Sequence, residues 1–460
     1  MKVALFFISR KRPGFDPAWG IFLEREIRLQ LQQSPFEPLF FSAITDESIL
    51  KKSIAAAQQA GAEVLIVTQP TMGDGNLFPV FLAEWDSPVI IWATPENPNN
   101  PKVSACGLVG AHNWASGMSQ AGSPPHLVIG LPGDPKTVTT LNETILIAAT
   151  SKKVRHARVG LIGDHAPGFL NMAVDTAAQQ QLLGTRLKRI GLHEFCTIIK
   201  SFSDSEVVDD RKKAESLGLP VRSGVTLHDN VYDISSRYYL AIKQIVQEES
   251  LDAVAVRCWP ELPNEFGVWS YWSIARLASD GINICEEGDV DGAIGCLIAR
   301  SLGSEIAAFN SDWLEHDDKS ITLWHAGATP FEMCEPIGSP YAPTLSVHFN
   351  NGKPVVVEAR ICSGIPVTLF RLWKFQNEYR LALCEGQTDV PKREIMGCSG
   401  CVLVHGGSVE QFFYDACYAG MPHHVTVLKG HFASKIRRFA DHHQPKPIRV
   451  VLQIGQEKQT

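Results

Sequence analysis

No apolar run in this chain reaches the ~18 to 20 residues that a helix needs to cross a bilayer, so no membrane partner is expected. Positive charge is not in excess either: 42 Lys and Arg stand against 49 Asp and Glu, for a net charge of -7. A protein built around a phosphate backbone carries the opposite balance, which sets nucleic acid aside. There is no solenoid-period repeat and no low-complexity tract. A secretion signal is also missing. The apolar run at 3–8 is too short for one, and Arg10, Lys11 and Arg12 follow it rather than precede it. The chain is therefore expected in the cytoplasm, with residues 3–8 as a buried strand.

Cysteine is present without a framework. The eleven residues are odd in number and scattered, mostly in apolar runs such as Ala293-Ile-Gly-Cys296-Leu-Ile298, as reduced buried thiols are. Cys398 and Cys401 form a single C-x-x-C with no second pair to complete a zinc site, and read as ordinary turn cysteines. What remains is the composition of an ordinary folded protein, 45% hydrophobic and 20% charged. Its 460 residues suggest about three domains at ~150 residues each.

The first 150 residues alternate buried-strand runs (3–8, 38–41, 63–68, 88–93) with amphipathic helical stretches (22–33, 46–60). That alternation predicts a parallel sheet covered on both faces, with ligands collecting at the carboxyl ends of its strands. The loop from Gln69 to Gly75 follows one such end and reads by itself as a Gly/Pro turn. The pattern restarts with a strand ending near Ile162, helices near 172–183 and 231–248, and a strand at 253–256. From about residue 320, short β segments separated by Gly, Pro, Asn and Ser predict an antiparallel sheet or barrel. Helices at 409–418 and 433–442 follow most of it. The expected architecture is two Rossmann-like α/β domains, 1–154 and 155–322, and a β-rich, barrel-like domain at 323–460.

Three segments concentrate ligand atoms. Glu261 closely follows an apolar strand. Four acids, Glu286, Glu287, Asp289 and Asp291, fall within six residues between apolar flanks, where like charges repel unless a cation or a shared proton relieves them. Capping of a helix starting near Val290 accounts for one or two of them. A calcium loop is rejected, because no Glu stands at its closing position. The third segment is Met421-Pro-His423-His424, where at most one imidazole faces a given ion; His442-His443, in polar surroundings, reads as surface. Two carboxylates and one imidazole suit Mn²⁺ or a similar divalent ion, and also suit proton transfer between adjacent carbons of a sugar.

Glu261, then Glu287-Gly-Asp289, then Pro-His-His424 in a β-rich final domain, resembles the L-fucose and L-arabinose isomerase superfamily. The segments Leu108 to Trp114, Val159 to Phe169, Leu323-Trp-His325-Ala-Gly327 and Gly364 to Arg371 extend the resemblance, in order, over most of the chain. It implies an aldose–ketose isomerase working through an enediol, with Mn²⁺ (or Co²⁺ or Mg²⁺) held by two acids and a histidine. Carried over, Glu261 is a ligand and acid/base. Asp289 is the second ligand and catalytic carboxylate, with Glu287 close by. His424 is the imidazole ligand, and His325 lies near the substrate or metal. The resemblance also implies a homo-oligomer, trimer or hexamer, in which a neighbour's first domain closes the site. Arg10, Arg12 or the Gln69–Gly75 loop could then act across an interface. Competing readings are a non-catalytic sugar-binding or regulatory protein, and an epimerase or lyase using the same site.

Overall fold

In the first strand successive side chains serve opposite faces of one sheet. Ala4, Phe6 and Ile8 enter one apolar core, and Val3, Leu5 and Phe7 enter another. A strand buried on both sides is what a parallel sheet between helical layers requires. The structure, a computed structural model, describes residues 1–9, 15–73 and 75–455. Arg10, Lys11, Arg12 and Asp74 lie outside the described residues. The chain forms two compact units, Met1–Lys153 and Val154–Thr460.

The first unit holds strands β1 (Lys2–Phe7), β2 (Glu37–Phe40), β3 (Val64–Thr68), β4 (Val89–Ala93) and β5 (His126–Ile129). They pair in the order β2-β1-β3-β4-β5, all parallel. The second unit opens with a parallel sheet of β6 (Arg158–Ile162), β7 (Arg186–Ile190), β8 (Ala253–Val256) and β9 (Ile284–Cys285), ordered β7-β6-β8-β9.

Nine further strands follow: β10 (Phe309–His316), β11 (Ser320–His325), β12 (Thr344–Val347), β13 (Pro354–Arg360), β14 (Pro366–Phe375), β15 (Glu378–Asp389), β16 (Cys398–Val404), β17 (His424–Lys429) and β18 (Arg449–Ile454). Six of them, β16-β11-β10-β17-β14-β15, close into a ring because β15 also pairs with β16, and every pairing in the ring is antiparallel. The β-rich region is thus a barrel with β12, β13 and β18 attached at its margins. One apolar core runs from the parallel sheet (Ile162, Val254, Val256) into the barrel (Leu323, Leu369, Val427), so this unit is welded through its interior.

Two expectations are corrected. Cys398 and Cys401 are not in a turn but within β16, both buried. Three residues apart on a strand, their side chains face opposite sides and cannot grip one ion. His443 is buried, not superficial, with Nε2 3.1 Å from the Leu183 carbonyl. All eleven cysteines are free thiols. Among the described residues no helix is long and apolar enough to cross a membrane.

Candidate functional site

β9 is only two residues long, and the chain turns sharply at its carboxyl end. Glu287 (φ 60°) and Gly288 (φ 70°) are both left-handed, a conformation that costs a non-glycine residue about 1 to 2 kcal/mol. At Gly288 glycine is required, since a Cβ there would lie 2.2 Å from the Asp164 carbonyl oxygen. Gly288 N–H donates to Val256 O (3.0 Å) and Ala166 N–H to Glu287 O (2.8 Å), tying the turn to the neighbouring strands. The strained turn aims the Glu287 carboxylate away from the helix that follows. Asp289 is the N-cap of that helix, Val290–Ser301, accepting from Gly292 N–H at 3.0 Å. Capping therefore explains only one of the four acids. Asp291 is half-buried in the helix, accepts from Tyr379 Oη at 3.1 Å, and is pushed by desolvation up to about 6.

The barrel supplies the other half. His424 opens β17 directly across the ladder from Asp312 on β10. Its Nδ1 lies 2.9 Å from Asp289 Oδ2 and its Nε2 3.3 Å from Glu287 Oε2. Asp312 Oδ1 is 3.7 Å from that Nε2, and His423 Nε2 is 3.9 Å from Glu287 Oε2 and 3.7 Å from Asp312 Oδ1. His325, at the end of β11, places Nε2 3.3 Å from Glu286 Oε1. Trp259 Nε1–H donates to Glu287 Oε1 at 2.8 Å, and Phe169 packs against Trp259 and His423.

Three overlapping groups in this cluster could hold a metal ion: Glu287, His423 and His424; Glu286, His325 and His424; Cys285, Asp289 and His424. Within them His424 Nε2, His325 Nδ1 and Glu286 Oε1, with neighbouring Asp312 Oδ1, are buried without a hydrogen-bond partner. Buried polar atoms left unpaired are costly, and a divalent cation would satisfy several at once. The nitrogen and carboxylate donors match what such ions take.

Charge in the cluster is polarised. Burial alone would raise Glu287, but contacts with His423 and His424 and the field of His325 hold it far below its usual range. Asp289 is likewise pulled down against burial by Arg371 and His424. Burial opposes charge on His424, yet Asp289 and Glu287 raise it well above the ordinary imidazole value. Glu286 moves the other way: burial pushes it up despite His325 and His424.

Four residues singled out from the sequence converge here: Glu287, Asp289, His325 and His424. Asp289 is saturated. Oδ1 accepts from Gly292 N–H and from Arg371 Nη2 (2.9 Å), while Oδ2 faces Arg371 Nη1 and His424 Nδ1. Glu261 is not in any of the three groups. It starts the helix Glu261–Phe266 after β8, its side chain is 36% exposed, and both its oxygens accept from Arg257 Nε (2.8 Å) and Nη2. Burial tends to raise it, but Arg257 holds it below its usual value. The sequence reading named Glu286 in the acidic cluster without giving it a role and set His423 aside for His424, whereas both histidines fall in one of the groups. Asp312, Trp259 and Arg371 were given no place in the site. Arg371 left a signal: a charged residue inside the apolar strand Pro366–Phe375 must be paired.

No family model matches this chain. A sulfoquinovose isomerase of Priestia megaterium (strain ATCC 12872 / QMB1551) is 24% identical over 370 residues, covering 80% of this chain and 81% of that protein. The chain is similar to sugar isomerases. Another sulfoquinovose isomerase, of Alkalicoccus urumqiensis, is 24% identical over 335 residues (72% and 74% of the two chains). That of Clostridium sp. (strain MSTE9) is 22% identical over 385 residues (82% and 84%). Among solved structures, a solute binding protein from Burkholderia multivorans covers 65% of this chain and 93% of its own at 11% identity. Its TM-score is 0.18, too low to carry an argument.

Proposed function

We propose that this chain is a divalent-cation-dependent aldose–ketose isomerase of a free or modified monosaccharide, sulfoquinovose being the first to test in view of its relatives' name. The observation that carries the reading is a buried carboxylate, Glu287, in a left-handed turn just before the helix cap, set 3.3 Å from the Nε2 of His424, which has no hydrogen-bond partner. Glu287 and His424 would hold the cation, with Asp312, His423 and the Glu286–His325 pair at the same cluster. The cation, Mn²⁺ first, would hold the two substrate oxygens as charge develops on them.

This chain's own groups supply the rest. Ketol isomerisation moves a proton between C2 and C1 through an enediol, which needs an ionised carboxylate to take it and return it. Glu261 is assigned that role, with Arg257 keeping it ionised. Trp259 fixes the orientation of Glu287 through its indole N–H, and the Phe169 and Trp259 rings offer apolar area for the carbon face of a sugar. The test is Mn²⁺-loaded protein with a panel of aldoses that includes sulfoquinovose, followed by NMR in deuterated water. Ketose carrying carbon-bound deuterium supports the reading. Chelator-insensitive sugar binding without product would refute it, and an epimer or a cleavage product would replace it with the corresponding chemistry.

A further inference from the structure

Asp289, which the family resemblance offers as a metal ligand, is bonded at both of its oxygens. Asp289 and Arg371 are both buried to about 1% side-chain exposure and meet in a two-pronged pair, Nη2 on Oδ1 and Nη1 on Oδ2. Burying two charges costs several kcal/mol each, and such a pair is often no better for stability than apolar residues of the same shape. Here it is not even complete, because Arg371 Nε is buried without a partner. Stability does not explain its presence, and what its remaining contact does is the better question.

That contact is to His424. An ionised carboxylate only accepts hydrogen bonds, so an imidazole whose Nδ1 lies 2.9 Å from Asp289 Oδ2 must carry its proton there. In the neutral ring the lone pair is then left on Nε2, the atom 3.3 Å from Glu287. We infer that Arg371 and Asp289 are positioning residues, a fixed Arg371–Asp289–His424 relay that locks His424 in the Nδ1–H tautomer and turns Nε2 toward the cation position. Arg371 contributes by keeping Asp289 ionised and its plane fixed; the N-cap bond to Gly292 anchors the same carboxylate to the helix Val290–Ser301. Asp289 thus acts behind the imidazole and not on the cation. The inference rests on the cation-dependent reading for its consequence, while the tautomer itself is independent of any turnover.

The substitutions separate the two roles. In Asp289→Asn the amide oxygen keeps the helix cap and Arg371 Nη2, while the amide NH₂ gives up the bond from Arg371 Nη1 and faces His424 Nδ1, reversing the tautomer and moving the proton to Nε2. Apparent Mn²⁺ affinity, read from free Mn²⁺ by electron paramagnetic resonance, should fall about 10- to 100-fold. Arg371→Met should weaken it in the same direction, and Arg371→Lys by less. If Asp289 were instead a ligand, Arg371→Met would relieve it of a competing cation, and Mn²⁺ would bind as well or better. That result would overturn the inference.

A measurement on the unaltered protein covers the case in which these variants fail to fold. With Zn²⁺ as a diamagnetic probe and ¹⁵N-labelled histidine, the signal lost in His424→Gln should show metal on Nε2 and a proton on Nδ1. Metal on Nδ1 would overturn the relay. Intact Mn²⁺ binding and an intact tautomer without isomerisation of any sugar would remove the isomerase reading and leave the relay standing.

Discussion

The two parallel sheets end differently. In the first unit, β4 runs into Glu96, whose carboxylate accepts from Ser104 N–H and Oγ–H, Ala105 N–H and Cys106 N–H, all in one loop. β3 runs into Gln69, whose Oε1 accepts from Gly73 N–H. The Glu96 carboxylate and the Gln69 carbonyl are consumed by their own connections, although Gln69 Nε2 is buried without a hydrogen-bond partner. In the second unit, β9 runs into Glu286, Glu287 and Asp289, and the groups that meet them come from barrel strands β11, β14 and β17. An acid at a strand's carboxyl end becomes a candidate cation ligand only when a second layer brings it charged partners that leave donor atoms unsatisfied. Glu261 makes the point within a single sheet. It stands after the strand next to β9, yet its carboxylate is held by Arg257, four residues away in sequence, and joins none of the three ligand groups.

The sharpest way to break the contrast is to delete one acid from each sheet. Glu287→Ala should abolish isomerisation and weaken Mn²⁺ binding by more than the ~10- to 100-fold that outer-shell partners cost. Glu96→Ala should leave Mn²⁺ affinity unchanged and lower stability by about 1 to 3 kcal/mol in denaturant unfolding, through its orphaned loop donors. Glu261→Gln should lower turnover about 10²- to 10⁴-fold with Mn²⁺ affinity retained, because its carboxylate lies on Arg257. A parallel collapse of Mn²⁺ affinity in titration calorimetry would place Glu261 among the ligands.

Proton competition sharpens the comparison next. In the cation-free protein His424 is held protonated by Asp289 and Glu287, so a metal must displace that proton. Mn²⁺ affinity should rise with pH, by up to about tenfold per unit, until the raised His424 value is passed. Flat affinity from pH 6 to 8 would mean that His424 is not a ligand.

The smallest effect separates site chemistry from global stability. Burial lowers His443 from 6.5 to about 4. Its folded value lies below the unfolded one, so the neutral ring's contribution is fully present above pH 6.5 and is lost as pH falls toward 4. The loss amounts to about 3 kcal/mol. His443→Gln should show a shallower decline in unfolding free energy over that window, with Mn²⁺ binding at pH 7 unaltered.

Much of the fold was legible because it is local. The helices Val409–Tyr418 and Ala433–His442, the strand Ala253–Val256 and the capped helix after Asp289 follow from periodicity and from one N-cap. The barrel's closure was legible only as a tendency, since the pairings β11–β16, β10–β17 and β14–β17 join strands distant in sequence, which no turn dictates. His443 was misread for a related reason: its neighbours in sequence are polar, but its hydrogen bond reaches Leu183, 260 residues away.

The sequence by itself determined that acids would crowd at 286–291 between buried flanks; the choice of His424 over His423, and of Asp289 over Glu287 as ligand, came from the family resemblance. The sequence could not divide the roles of Glu287 and Asp289, which stand two residues apart in one turn. The tertiary structure gives the two carboxylates different partners. Arg371, 82 residues from Asp289, and His424, 135 residues away, occupy that carboxylate, while Glu287, in a left-handed turn, lies 3.3 Å from the other nitrogen of the same imidazole. A carboxylate's role depends on which donors reach its oxygens, and here those donors arrive from distant strands.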